Sequence, residues 1–345
     1  MRLSIYSIVA LSLVLSACSD RISTPTTATG SERIVYSTLD YSRRDLPPHL
    51  VCVDSSLRLV ADQGIGYGFD AGRNTCLWIT RDTVTLRTSF AVYDDRSLMT
   101  SQLGDLTGAG ERSEDQYPSA ISPDGSHIAI YMHDTANDLN KLYVVDVRTR
   151  QRVLITDKLD VQAHTCFSPD GNRIAYYTQL KVPPDQNEVI AISTIDASQR
   201  VTLTAISDAG VDGFASISWS DKDRIAFVDA SAVYVINADG SGRIQVASPA
   251  FSPAWSPTGD TLAITASNSS DVMITSDNGI TITNLTNSDG VSEAFAHWSN
   301  DGKRLLVTKW IGDMDHTIMT LEEIYIPTGD IRVIASPGAN GFYLK

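Results

Sequence analysis

An all-β fold, a β-propeller of four-stranded blades, is what this 345-residue sequence predicts, on three observations. Five turns share one form: Ser122-Pro123-Asp124-Gly125, Ser168-Pro169-Asp170-Gly171, Ser220-Asp221-Lys222-Asp223, Ser256-Pro257-Thr258-Gly259 and Ser299-Asn300-Asp301-Gly302. Their serines are 46, 52, 36 and 43 residues apart, the range of one four-stranded blade. A bulky residue, Ile121, Phe167, Trp219, Trp255 or Trp298, stands immediately before each turn, and three short apolar runs follow it.

Each part of the unit has a physical reason. Proline presets the backbone angle at the second turn position, and glycine takes the left-handed conformation that closes a tight strand connection. Asp223 stands where glycine is expected and can visit the same region. The bulky residue suits packing between neighbouring sheets. After the turn the second strand reads Ile128-Ala129-Ile130, Ile174-Ala175-Tyr176, Ile225-Ala226-Phe227, Leu262-Ala263-Ile264 or Leu305-Leu306-Val307, and the small alanine in four of the five lets sheets approach closely. Third strands are expected at 142–145, 189–195, 233–236, 272–275 and 323–326, and fourth strands at 153–155, 201–203, 244–246, 280–285 and 331–334. Hairpin turn chemistry joins third to fourth strands at 237–242 and 327–330.

This plan resembles the TolB-type, WD-repeat-like β-propeller repeat family over about residues 117–336. Upstream the rhythm persists in weaker form. Segments 33–38, 49–54 and 58–60 read as the second, third and fourth strands of a blade that lacks its first, and 67–70, 75–80, 90–93 and 98–101 as a complete but degenerate blade. The C-terminal run Ala335-Ser336-Pro337 to Tyr343 can be laid over Ala247-Ser248-Pro249 to Trp255, which puts Tyr343 at the bulky position of the missing strand. Seven blades result, the ring closed by strands from both termini, an arrangement that removes exposed sheet edges. Six is the alternative if the degenerate second unit is not a full sheet. TolB carries an α/β domain ahead of its propeller, whereas here a tether leads straight into strands. The resemblance therefore implies the fold and the general role of a binding platform, and not TolB's particular partners.

The first 17 residues are Met-Arg followed by an apolar run too short to span a bilayer, the pattern of a signal peptide. Leu15-Ser16-Ala17-Cys18 resembles the lipobox of bacterial lipoproteins. That resemblance implies cleavage before Cys18, a diacylglyceryl thioether on it and N-acylation, hence an exported, lipid-anchored protein of the cell envelope. Ser19, rather than aspartate, resembles the signal for the outer membrane of Gram-negative species, where the protein would face the periplasm or the cell surface. Residues 18–32 form a Ser- and Thr-rich tether, and 33–345 the propeller domain.

Composition excludes several classes. Lys and Arg number 27 against 41 Asp and Glu, a net charge of −14, with no dense basic run. Such a surface repels phosphate backbones and anionic headgroups, so no nucleic-acid partner is expected and membrane attachment falls to the lipid on Cys18. Loss of Arg2 with the signal peptide makes the mature charge −15. With 22 Gly and 13 Pro the chain is turn-rich rather than bundle-like.

No catalytic motif stands out. Gly-x-Ser-x-Gly is absent, so the hydrolase domain of prolyl-oligopeptidase relatives is not expected. Gly64-x-Gly66-x-Gly68 has the wrong spacing for dinucleotide binding and reads as a flexible approach to an inner strand. Six histidines occur, at 49, 127, 133, 164, 297 and 316, with no paired metal-ligand spacing. Channel-lining residues are sought four positions before each turn serine, where inner strands begin: Pro118, His164, Ser216, Ser252 and Phe295, with His297 nearer its own turn. One histidine among such neighbours reads as a hydrogen-bonded lining residue, so neither a metal nor a cofactor is expected. Cys166 reads as a buried apolar residue, and a Cys52–Cys76 bridge between adjacent blades is conceivable. Asp134, Asp138, Asp313 and Asp315 are expected in solvated loops at 132–141 and 310–316.

The expected function is a lipid-anchored binding platform for a protein, peptide or glycan of the envelope, more readily a non-enzyme than an enzyme. The alternative is a channel-centred polysaccharide lyase or hydrolase, by resemblance to propeller lyases that act on uronate sugars with several histidines.

Overall fold

The computed structural model describes residues 32–38, 49–65, 67–81, 87–113, 120–158, 164–182, 185–207, 216–276, 279–288, 291–311 and 318–344. The signal peptide, Cys18, nearly all of the tether, Pro118, Asp313 and Asp315 lie outside them. All regular elements described are strands, and they form seven sheets, each four strands deep in radial order, with the innermost place of blade 3 shared by two short strands, Glu111–Ser113 and Ala120–Ile121. The innermost strands are Ala339–Leu344, Tyr67–Ala71, Ala120–Ile121, Thr165–Phe167, Ile217–Trp219, Ala250–Trp255 and Ser292–Trp298 for blades 1 to 7. Each inner strand touches the next around a closed cycle, so these strands surround the central axis.

The C-terminal strand Ala339–Leu344 completes blade 1 by pairing with Arg33–Ser37, with Tyr343 opposite Ile34. Both Ser248-Pro249 and Ser336-Pro337, which the sequence superposes, are cis. The degenerate second unit is a full sheet, which decides the count at seven.

The core is divided among the blade interfaces. Seven buried apolar clusters occur among the described residues, each drawn from two consecutive blades. One joins blade 7 to blade 1 through Leu306, Leu321, Ile34, Val53 and Tyr343. Ala129, Ala175, Ala226 and Ala263 are all 0 % exposed, as their role in close sheet approach requires.

The turn serine has a task that composition does not reveal. In all five turns its Oγ accepts the N–H of the first residue of the second strand: His127, Arg173 and Arg304 at 2.9 Å, Arg224 and Thr261 at 3.2 Å. Three of these hydroxyls donate in turn to the turn aspartate: Ser122 to Asp124, Ser168 to Asp170 and Ser299 to Asp301. The turn glycines have φ between +65° and +74°, and Asp223 takes the same region at +58°.

Several boundaries differ from expectation. The segment 132–141 is mainly strand: His127–Asp134 and Leu139–Asp146 pair nearly to their tips, leaving a four-residue connection. Asp134 is consequently 9 % exposed rather than solvated, and it pairs with Lys141 at 2.9 Å. Lys141 and the loop amides hold its carboxyl well below the usual range. Asp138 alone of the two is at an open tip. Trp310 likewise lies in the strand Arg304–Ile311. The third strand of blade 7 begins earlier than expected, at Ile318, and the fourth strand of blade 6 is only Ile282–Asn284. Gly64 falls in the fourth strand of blade 1 and Gly68 in the inner strand of blade 2.

Candidate functional site

Inner-strand geometry repeats at the position three residues before the bulky residue, where the channel-lining residues were sought. In blades 6 and 7 a one-residue bulge interrupts the ladder there, between Phe251 and Ala254 and between Ala294 and His297, and in blade 2 one position later, between Gly68 and Asp70. Blade 1 has a matching irregularity between its partners Phe342 and Ala339. An extra residue on one strand of a pair leaves the ladder and bends the strand. Ser252 sits in such a bulge with φ of +51° and is 8 % exposed. Phe295 occupies the bulge of blade 7. In blades 4 and 5 the ladder starts only after this position, so His164 and Ser216 precede their strands. Blade 3 departs most. Glu111–Ser113 pairs with the far end of its second strand, and the register slips by four residues between Ser113 and Ala120.

Ser216 is held by its backbone, not by its side chain. Its carbonyl accepts from the Tyr177 hydroxyl at 3.3 Å, and that hydroxyl also accepts the Val228 N–H at 2.9 Å. The Ser216 Oγ is buried without a hydrogen-bond partner. Burial pushes His164 down to about 4, so this imidazole is neutral at ordinary pH.

A second repeated position was missed by the sequence reading. The residue immediately before the bulky one faces the next blade, and where it is polar it accepts that blade's bulky-residue N–H. Asp70 accepts from Ile121 at 2.9 Å, Ser218 from Trp255 at 3.1 Å, and the Nδ1 of His297 from Tyr343 at 3.4 Å. Their offsets of 51, 37 and 46 residues equal one blade. The signal was a polar residue directly preceding Ala71, Trp219 and Trp298. Burial pushes His297 down to about 4, consistent with a neutral, accepting Nδ1, and raises Asp70 to about 7 despite its two backbone donors.

Cys52 and Cys76 are buried in one cluster between blades 1 and 2, both as free thiols, and burial raises Cys52 to about 12. Cys166 is a free thiol too, only partly buried against the cluster between blades 4 and 5. Among the described residues no three His, Cys, Asp or Glu side chains come together to hold a metal ion.

One cleft lies on the face of the loops that link second to third strands and each blade to the next. It has a volume of about 410 Å³ and is lined by Asn268, Ser269, Ser270, Asp271, Ser288 and Ser292 with one apolar residue, Val291. Asp271 shapes its wall by accepting from the Ser288 N–H and the Asn284 amide, both at 2.8 Å. Beneath it Glu293 is 2 % exposed; burial raises its carboxyl, and Lys309 lies at 4.0 Å.

No family model matches the chain, and no curated protein matches it. Solved structures do. TolB from Acinetobacter baumannii is 15 % identical, with a TM-score of 0.54 over 90 % of this chain and 81 % of that one. An oligogalacturonate lyase from Vibrio parahaemolyticus is 12 % identical, with a TM-score of 0.56 over 90 % and 87 %. Another oligogalacturonate lyase, in complex with manganese, is 13 % identical, with a TM-score of 0.55 over 78 % and 77 %. At such identities the likeness is one of fold: this chain is a seven-bladed β-propeller, similar in architecture to TolB and to these lyases.

Proposed function

We propose that this chain is a lipid-anchored protein of the bacterial cell envelope whose propeller is a binding platform for a protein, peptide or glycan. The observation that carries the reading is how the polar groups are used. Asp70, Ser218 and His297 on the inner strands are committed to holding the next blade. The open polar cleft at Asn268–Asp271 lies instead on the loop face, where scaffold folds present recognition surfaces. The sequence Leu15-Ser16-Ala17-Cys18 supports export and anchoring, and Ser19 supports an outer-membrane destination. With an acidic mature chain, attachment rests on the acyl chains of Cys18, more than one being what stable anchoring needs.

The test has two parts. Cys18→Ala should move the protein from the membrane to the soluble fraction and remove the acyl mass from the mature N-terminus. Crosslinking in whole envelopes should join the wild-type protein to a defined protein or glycan, with Asp271→Lys abolishing the adduct. Membrane retention in Cys18→Ala would sink the anchor, and an adduct indifferent to Asp271→Lys would sink the cleft.

A channel-centred polysaccharide lyase or hydrolase is the second reading. It is favoured by the unpartnered Ser216 Oγ beside the axis, by His164 one blade away, and by likeness in fold to the oligogalacturonate lyases. The described residues do not offer a three-ligand donor set for a metal such as the manganese named with one of those lyases. Oligogalacturonate cleavage that falls at least tenfold in His164→Ala would support this reading, and no cleavage by the wild type would remove it.

A further inference from the structure

The two ends of the ring lie on one face. Arg33 pairs with Leu344, so the chain enters blade 1 where the other blades have the turn from inner to second strand. Glu32 is fixed at that point. Its carboxylate accepts the Asn300 N–H at 2.7 Å and the Asn300 side-chain amide at 2.9 Å, and it pairs with Arg304. Asn300 belongs to the turn Ser299-Asn300-Asp301-Gly302 of blade 7. Anything that holds the protein by residues before Glu32 therefore holds it by the turn face.

On that face acids and bases alternate: Asp124, Asp170, Asp223, Asp260 and Asp301 mark the turns of blades 3 to 7, and Arg173 pairs with Asp223, Lys222 with Asp260 and Arg304 with Asp301, so the turns present a mixed rather than a basic surface to an anionic bilayer. Orientation then depends on reach. Fourteen residues run from Ser19 to Glu32. As a coil, a segment of that length spans about 20 Å on average. The second strand of blade 7, Arg304–Ile311, starts beside Glu32 and rises about 26 Å toward the opposite face at ~3.3 Å per residue. A coil of fourteen residues is on average shorter than the propeller is tall, so bringing the opposite face to the membrane would require a segment of this length to be nearly extended and wrapped over the rim, at a large cost in chain entropy.

We infer that the protein sits with its Ser-x-x-Gly turn face toward the bilayer and presents the opposite face, which carries the Asn268–Asp271 cleft, to partners approaching from the aqueous side. The cleft's serine, asparagine and carboxylate lining suits a partner that offers hydrogen-bonding groups rather than an apolar surface. This inference rests on the lipid-anchor reading, and the experiment separates the two.

Lipidated protein purified from membranes, in a Cys166→Ser background, is labelled with a donor fluorophore at Lys303→Cys on the turn face or at Asp138→Cys on the opposite face. Each is reconstituted into phosphatidylethanolamine–phosphatidylglycerol vesicles containing a dilute acceptor lipid. Both side chains are exposed. Energy transfer is expected to be at least twofold greater from position 303 than from 138, and the difference should vanish when thirty Gly and Ser residues are inserted in the tether. Equal transfer, or more from 138, overturns the orientation while leaving the anchor intact. Vesicle binding that persists in Cys18→Ala overturns the anchor itself, and the orientation with it.

Discussion

The guanidinium of Arg173 lies 4.8 Å from the centre of the Trp219 ring on the next blade, and both residues donate to one carboxylate oxygen of Asp223, at 2.8 and 3.0 Å. Arg224 stands over Trp255 at 5.0 Å and Arg304 over Tyr343 at 5.4 Å in the same relation. The basic residue after one turn thus covers the bulky residue before the next. A repeat with these two positions ties each blade to its successor, which explains why they recur together along the sequence. Arg173→Ala should lower stability by about 1–2 kcal/mol, combining a cation–π contact with a partly exposed ion pair. A double-mutant cycle with Trp219→Leu, read by urea unfolding, should return a coupling of about 0.5–1 kcal/mol. A coupling of zero would mean that the two side chains are merely adjacent.

Gly125 has φ of +74°, and a Cβ there would lie 2.6 Å from the Thr75 side chain of the preceding blade. Gly125→Ala is expected to cost about 1–3 kcal/mol through backbone strain and the crowded neighbour. At Gly329, also at positive φ but with open space around it, the same substitution should cost only the backbone part, about 1 kcal/mol. Thermal unfolding of both variants checks the difference, and equal losses would show that the approach of Thr75 is immaterial.

Ser218 supplies the acceptor for the Trp255 N–H. Ser218→Ala removes it and leaves a backbone donor unpaired between blades, at a cost of about 1–2 kcal/mol. Hydrogen exchange should show the Trp255 amide losing protection more than its neighbours in the same strand. Uniform loss along the strand would point to general loosening instead.

His164 and His297 are both pushed down to about 4 by burial, against an ordinary value near 6.5. Between these values the unfolded chain binds protons that the folded one does not. Their contribution is therefore complete above pH 6.5 and is lost as pH falls toward 4, at up to about 1.4 kcal/mol per pH unit for each histidine. His297→Gln should be less acid-sensitive than the wild type over pH 6.5 to 4.5 in urea titrations. Parallel pH curves would show that His297 is not held neutral.

Asp70 works in the opposite sense. Raised to about 7, it keeps its proton in the folded state over a range where the unfolded chain has lost it. Its contribution is complete below about pH 4 and is lost as pH rises through 7. Asp70→Asn sacrifices one of two backbone acceptances and should be less stable than the wild type at pH 5. The gap should narrow as pH rises to 8, since the amide does not ionise. A constant gap would mean that the carboxyl titrates normally.

Much of the fold is legible in the sequence because its chemistry is local. A turn serine, a residue able to take positive φ and an alternating apolar run are read within about ten residues, and they give the blade and its order. Blade 1 was assembled from opposite ends of the chain because Tyr343 repeats the environment of Trp255. The candidate site was less legible. His164, Ser216, Ser252 and Phe295 were sought at one repeat position, and that position proves to be where the inner ladder starts or bulges. Asp134 was misplaced, because whether a hairpin tip extends as strand or relaxes as loop depends on its partners: Lys141 on the facing strand, and Glu111 nearby through the same lysine.

By itself, then, the sequence determined an all-β ring of repeating blades, the identity of the turn and bulky residues, and the closing of the ring by both termini. Only the tertiary structure decided that Asp70, Ser218 and His297 hold the next blade, that Arg173 covers Trp219, and that the chain enters on the turn face beside Asn300. The reason is separation. Those relations join side chains a blade or more apart, up to the whole chain for Glu32 and Asn300, and they depend on the angle at which two packed sheets meet, which no local pattern encodes.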